Sequence, residues 1–177
     1  MKYMCLSREL DDHWYPTSGD RDLKLQGKID EYLDWHHGGI RMGTGAYFFR
    51  TYASGLMSKD GTWSTQESVD EAYELMMKTL SKIEKIWLRA DRKSKFMFGS
   101  KPSIADLSLG CEITNLLASG YDLGKNYPSI NAWYCDGMMS IPSFKKLHEE
   151  ATPRIKMWFK SVKDLQKMND VKIIARL

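Results

Sequence analysis

Few residues in this chain have the type and spacing to do chemistry, and most of them sit apart. Four histidines stand at 13, 36, 37 and 148, three cysteines at 5, 111 and 135, and Ser103 precedes Asp106 by three residues. His36-His37 could suggest a metal site, with His13 or His148 as a third ligand. Adjacent positions on a helix point about 100° apart, so the pair cannot chelate one ion well. There is no HExxH, no cysteine pair and no GxSxG, so zinc and serine-hydrolase chemistry are not expected. The cysteines lack an activating setting, and Cys111, on an apolar helical pattern, is expected as a buried thiol. What remains is Ser103-Ile104-Ala105-Asp106, where the hydroxyl can accept from the amide of residue 106 and the carboxylate from the amide of Ser103. That is a capping box opening onto Ile104, Leu107, Cys111 and Thr114.

The elements that must hold these residues read as helices. Period-3.6 patterns fill the stretches between the prolines at 16, 102, 128, 142 and 153, and strand-like alternation is scarce. The expected fold class is all-α. A short helix fits residues 1–10 and a linker 11–19. A long helix over 20–52 carries Leu25, Ile29, Tyr32, Leu33, Ile40, Tyr47 and Phe48. Gly38, Gly39, Gly43 and Gly45 predict a bend or a close helix–helix approach in it. The turn Lys59-Asp60-Gly61 leads to a second long helix over 65–92, antiparallel to the first. Helices then open at Ser103, with Gly120 as the residue after the cap, at Pro128 and at Pro142. Ala151-Thr152-Pro153 is expected to interrupt the last before a Lys-rich amphipathic stretch, and residues 169–177 form a tail.

Composition excludes several classes. With 177 residues, 42% hydrophobic and 28% charged, the chain can bury one sizeable core. A net charge of +3, spread along the chain, does not point to nucleic acid or an anionic membrane. No apolar run is long enough for a transmembrane helix, and the N-terminus has no secretory pattern. The odd cysteine count fits a reducing compartment, cytoplasmic or with mitochondrial association.

Four segments carry a family resemblance. They are His13-Trp14-Tyr15-Pro16; Ile29-Asp30-Glu31-Tyr32-Leu33-Asp34-Trp35-His36 with Ile40-Arg41; Phe98 through Asp106; and Tyr127-Pro128-x-Ile130-x-Ala132-Trp133. In order, over most of the chain, they resemble the C-terminal helical domain of glutathione transferases, closest to the theta class. The domain would span 20–168, with residues 1–10 a remnant of the last helix of a thioredoxin-like domain. The resemblance implies that the glutathione-binding, thiol-activating domain lies outside this sequence, so that nothing catalytic is expected in the chain alone. Glutathione would be a co-substrate only where that half is supplied.

The same resemblance puts Arg41 at an arginine position facing the electrophile pocket, where a guanidinium orients an anionic leaving group. It offers Trp35, Met42 and Tyr47 as pocket lining, although aromatics and Met at helical spacing also fit a plain core. One turn before Arg41, Gly38 replaces an acidic residue that can hold the partner subunit's glutathione amine. Two functions therefore stand: the electrophile-site and dimerisation half of a transferase, or a non-enzymatic interaction subunit. A protein partner or a second copy is expected in both.

Overall fold

The computed structural model describes residues 1–17, 22–91, 93–171 and 173. Among them there is no strand, and every regular element is helical. A short α1 (Lys2–Ser7) is followed by α2 (Leu23–Gly38), opened by Asp22, whose carboxylate accepts from Leu25 N. Gly39 then breaks the line at φ −99°, ψ −105°, and α3 (Ile40–Phe48) continues into a π turn (Phe49–Ala53) and α4 (Ser54–Met57). The long first helix of the sequence reading is thus a rod bent at the predicted glycines. Its expected start at residues 20–21 lies outside the described residues. At Gly39 a Cβ would fall 2.4 Å from the Trp35 ring, so the bend and the ring's seat need glycine together.

After Gly61, at φ +73°, α5 (Gln66–Lys82) is capped by Thr65 and ends in a π turn (Ile83–Trp87). It therefore stops at Trp87, short of residue 92, which itself lies outside the described residues. α3 runs antiparallel to it: Gly43 meets Thr79 and Met76, while Arg50 seven residues later donates to Ser68 O. A Cβ at Gly43 would sit 2.8 Å from Thr79 Oγ1 and 3.3 Å from Met76 Cα, so glycine sets the spacing of the pair.

α6 (Ile104–Ala118) touches α2, α3 and α9, and buries Ile104, Leu109, Ile113 and Leu116. It ends as expected, with Gly120 at φ +102° and Tyr121 N donating to Leu116 O. Two short helices follow, α7 (Leu123–Asn126) and α8 (Pro128–Ala132), with Pro128 in the first turn of the latter. The backbone amides of Ser129 and Ile130 at its start donate to the two oxygens of Glu84, at 2.8 and 2.9 Å.

α9 (Pro142–Met168) corrects the expected break: it runs 27 residues straight through Pro153. Proline removes one donor and crowds the carbonyl four residues back. Here that carbonyl belongs to exposed Glu149, within reach of water, and the Thr152 hydroxyl donates to the neighbouring His148 carbonyl. The helix is held by its buried face, Phe144, His148, Phe159, Val162 and Gln166, with Gln166 Nε2 donating to Thr51 O at 2.6 Å. Lys172 and residues 174–177 of the expected tail lie outside the described residues. No helix among those described is long and apolar enough to cross a membrane.

Candidate functional site

The start of α6 is built around one carboxylate. Asp106 is fully buried. Its Oδ2 accepts from Ser103 N at 2.9 Å and from Ser103 Oγ at 2.8 Å, and its Oδ1 from Met97 N at 2.8 Å and Trp133 Nε1 at 2.9 Å. Asp106 thus holds the expected cap and two further donors. The reciprocal arm, in which Ser103 Oγ faces the amide of residue 106, closes the box without a strict hydrogen bond. The segment that follows α1 is pinned to the same place. Trp14 O accepts from Ile104 N at 3.0 Å, and His13 Nδ1 donates to Pro102 O at 2.7 Å. These ties lay α1 beside α2 and α6, where Lys2 Nζ meets Asp30 at 2.7 Å.

Between them opens a cleft of about 410 Å³, walled by Met1, Lys2 of α1, Leu33, Asp34, His36 and His37 of α2, Arg41 of α3, and Ile104, Ser108, Cys111 and Glu112 of α6. The α6 wall follows from periodicity. Ser108, Cys111, Glu112 and Asn115 fall at i, i+3, i+4 and i+7, a polar stripe on a helix whose other faces are buried. Cys111 lies on that stripe and is exposed, which corrects its expected burial.

Glu112 lies at the centre of the cleft's polar groups. Its side chain is 16% exposed, and its Oε1 stands 3.8 Å from His36 Nε2 and 3.9 Å from Arg41 Nε. Its Oε2 receives a 3.3 Å contact from Thr44 Oγ1, whose shorter bond goes to Ile40 O at 2.7 Å. Burial pushes the Glu112 carboxyl above its usual range, with Arg41 and Thr44 pulling the other way. Burial also pushes His36 down to about 4, helped by His37 and Arg41. His36 is therefore neutral near pH 7, and its approach to Glu112 is no ion pair there. Although the Cys111 residue is exposed, packing around its thiol desolvates it and, with Glu112 as the second cause, pushes the thiol up, which keeps it protonated. The chemistry on offer is binding: an exposed guanidinium beside a thinly bonded carboxylate, on an apolar and polar mixed floor.

The four residues singled out as pocket lining are not brought together. Arg41 faces the cleft, with its side chain 63% exposed. Trp35 packs, with its ring tilted, against Tyr32 and Trp87 on another side of α2, with Lys82 over its ring. Tyr47 is in the core against Phe48 and Tyr73. Met42 is 57% exposed and does not line the cleft. The His36 and His37 rings stand at 90°, and no group of three or more metal-ligating side chains occurs among the described residues. A second hollow, about 440 Å³, lies between α6 and α9 beside Leu117, Tyr134 and Pro153, but its one histidine, His148, is stacked on Phe144 and bonded to the Phe144 carbonyl.

Comparison with known proteins agrees with this architecture. A family model described as "Glutathione S-transferase, C-terminal domain" matches residues 66–134. The fold is that of the glutathione transferase C-terminal helical domain. Glutathione S-transferase T1 of Arabidopsis thaliana is 40% identical over 106 residues, 59% of this chain and 40% of that protein. Glutathione S-transferase theta-2 of Mus musculus is 31% identical over 131 residues, 74% of this chain and 50% of that protein. A human theta-class glutathione transferase, solved in complex with the glutathione conjugate of 1-menaphthyl sulfate, superposes with a TM-score of 0.75. It is 25% identical over 93% of this chain and 63% of its own. The chain spans about half the length, or less, of the curated relatives it matches.

Proposed function

We propose that this chain is the electrophile-side half of a theta-like glutathione transferase, and that it does not conjugate glutathione by itself. The observation that carries the reading is the cleft between α1, the α2–α3 bend and α6, with Arg41 at its rim. A guanidinium in a partly apolar cleft suits an aryl or alkyl electrophile whose leaving group is anionic, since it offers forked, charge-assisted donors. The human relative's sulfate-derived conjugate is in keeping with that class.

Conjugation also needs a glutathione thiolate, and a thiol at its ordinary value of ~8.5 is mostly protonated at neutral pH. The groups of this cleft do little to change that. Cys111 is itself held protonated, and a negative Glu112 opposes a second anion beside it. Glutathione would enter as co-substrate with a thioredoxin-like half supplying the thiol's partner.

A non-enzymatic interaction role is the second reading, favoured by α1, whose outward Tyr3, Met4 and Leu6 are 78%, 58% and 58% exposed. Clustered apolar side chains of that kind invite a protein partner or a second copy. Of the aromatic run near the helix bend, by contrast, only Phe49 remains exposed, because α9 covers Phe48 through Phe159.

The deciding experiment is a conjugation assay on the purified chain with an activated aryl halide, beside a fluorescence titration with naphthalenesulfonate. Expected are no saturable turnover above the uncatalysed rate and sulfonate binding that Arg41→Ala weakens. Saturable turnover lost in Arg41→Ala would overturn the claim of inactivity. Sulfonate binding untouched by Arg41→Ala would overturn the electrophile-side reading and leave the interaction role.

A further inference from the structure

Arg41 is not a free anion receptor, because a carboxylate of the same cleft already leans on it. Glu112 Oε1 is 3.9 Å from Arg41 Nε, within ion-pair range and beyond hydrogen-bond range. The carboxylate has little else. Its one hydroxyl partner, Thr44, spends its shorter bond on Ile40 O, and His36 at 3.8 Å is neutral near pH 7. The remaining charged or titratable side chains around the cleft are Lys2 from α1, Asp34 and His37 from α2, and Cys111 from α6. Lys2 is engaged by Asp30 at 2.7 Å, Asp34 and Cys111 offer no positive charge, and Tyr32 is spent on His36 at 3.2 Å. Among the described residues, Arg41 is the cation that stands within ion-pair distance of Glu112.

We propose that Glu112 is a specificity-determining residue that competes with anionic ligands for Arg41, so that an anion entering the cleft displaces the carboxylate and draws a proton from solvent onto it. The inference rests on the electrophile-side reading of Arg41. Its physical basis is that a carboxylate 16% exposed, with one long hydroxyl contact, cannot stay ionised cheaply once its guanidinium turns to a ligand. The raised Glu112 carboxyl is the same imbalance seen in the free cleft. Two consequences follow from linkage. Anion binding is tighter at acid pH, where Glu112 takes the proton readily, and weaker at alkaline pH, where it does not. Neutral electrophiles, which do not need Arg41, feel no such dependence. The cleft would thereby discriminate among substrates by leaving-group charge and by pH.

Naphthalenesulfonate is the probe, with affinity followed by fluorescence between about pH 5 and about pH 8. The parent is expected to lose about threefold to fivefold in affinity across that range, the scale of a single partly exposed ion pair. Glu112→Gln keeps the shape of the side chain and is expected to bind tighter than the parent by that factor at the alkaline end, with a flattened profile. His37→Gln is expected to keep the parent's slope. Calorimetry of the parent in two buffers of different ionisation enthalpy reads the proton directly, so the proposal stands or falls even where a variant folds poorly. Net proton uptake on binding supports it, and none overturns it. Equal or weaker binding by Glu112→Gln, or a slope lost in His37→Gln, overturns the competition while leaving Arg41 as the anion contact. Loss of every effect on replacing Arg41 by Ala is required. Binding indifferent to Arg41 instead sinks the underlying reading.

Discussion

Two carboxylates on one helix, six residues apart, have opposite fates. Asp106, at the start of α6, is fully buried and accepts from four donors at 2.8–2.9 Å. Glu112, nearly two turns on, is 16% exposed and has one 3.3 Å hydroxyl contact and two cationic or imidazole neighbours at 3.8–3.9 Å. The first has its lone pairs filled by the protein, so it has nothing left for a ligand. The second is left under-bonded at a cleft. Burial alone does not separate a structural carboxylate from a functional one; the number of donors aimed at it does.

The harshest test of that contrast is Asp106→Ala. It leaves the Ser103 and Met97 amides and the Trp133 indole N–H without an acceptor, in positions no more than 5% exposed. At ~1–3 kcal/mol for each stranded donor, and with partial relaxation, the expected loss is about 3–5 kcal/mol. Urea denaturation followed by far-UV circular dichroism measures it. Asn in place of Asp is expected to recover little, since its amide would face donors with a donor. A midpoint equal to the parent's would mean that the knot at the start of α6 is ornament and that the comparison with Glu112 fails.

The two ends of this contrast were unequally legible in the sequence. The cap could be read because Ser103 and Asp106 are three residues apart and the rule is local. The same carboxylate's bonds to Met97 and Trp133, nine and 27 residues away, have no local signature. The helical class, the bend at Gly38-Gly39 and the turn at Gly61 came from periodicity and glycine chemistry. A helical stripe says which side chains share a face, but not which neighbour the face meets. That is why Trp35 and Tyr47 turn toward α5 and its π turn while Arg41 turns to the cleft. Glu112 was missed although a signal existed, the polar stripe Ser108, Cys111, Glu112, Asn115 on an otherwise apolar helix. Pro153 misled because a rule about isolated helices was applied to one whose buried face holds it together.

A smaller effect is expected from acid, and it tests the side of the cleft opposite Glu112. His36 is 5% exposed, pairs with Tyr32 OH at 3.2 Å, and is held down to about 4. In the unfolded chain it titrates near ~6.5. Between these values the unfolded chain binds the extra proton, so stability rises with pH across the window and is lost as pH falls through it. A shift of this size corresponds to up to on the order of 3 kcal/mol by linkage. Thermal melts between about pH 7 and about pH 4 read it, and His36→Gln is expected to shrink the acid loss. If parent and variant lose stability in parallel, His36 is not the neutral, buried wall of the cleft described above.

The smallest effect is the most telling, because it concerns the under-bonded carboxylate itself. Glu112 has its folded value raised by burial, so at pH values between its unfolded and folded positions the folded chain carries the extra proton. Stability then falls as pH rises through that window, the reverse of the His36 effect, and the penalty persists above it. Glu112→Gln removes the ionisable group while keeping the Thr44 contact available to an amide oxygen. It also gives up a weak pair to an Arg41 side chain that is 63% exposed, worth ~0–1 kcal/mol. Near pH 8 the two changes oppose, and the variant is expected to be as stable as the parent or more so, by no more than about 1 kcal/mol. Below the unfolded value of ~4.3 the parent's carboxyl is already neutral, and the variant's advantage should vanish. Asp106→Ala stands on the other side of the contrast: four donors point at that carboxylate, so its loss strands them and costs stability outright. Should Glu112→Gln prove as damaging as a lost cap, the carboxylate is a structural group like Asp106, and Glu112 is no competitor for Arg41.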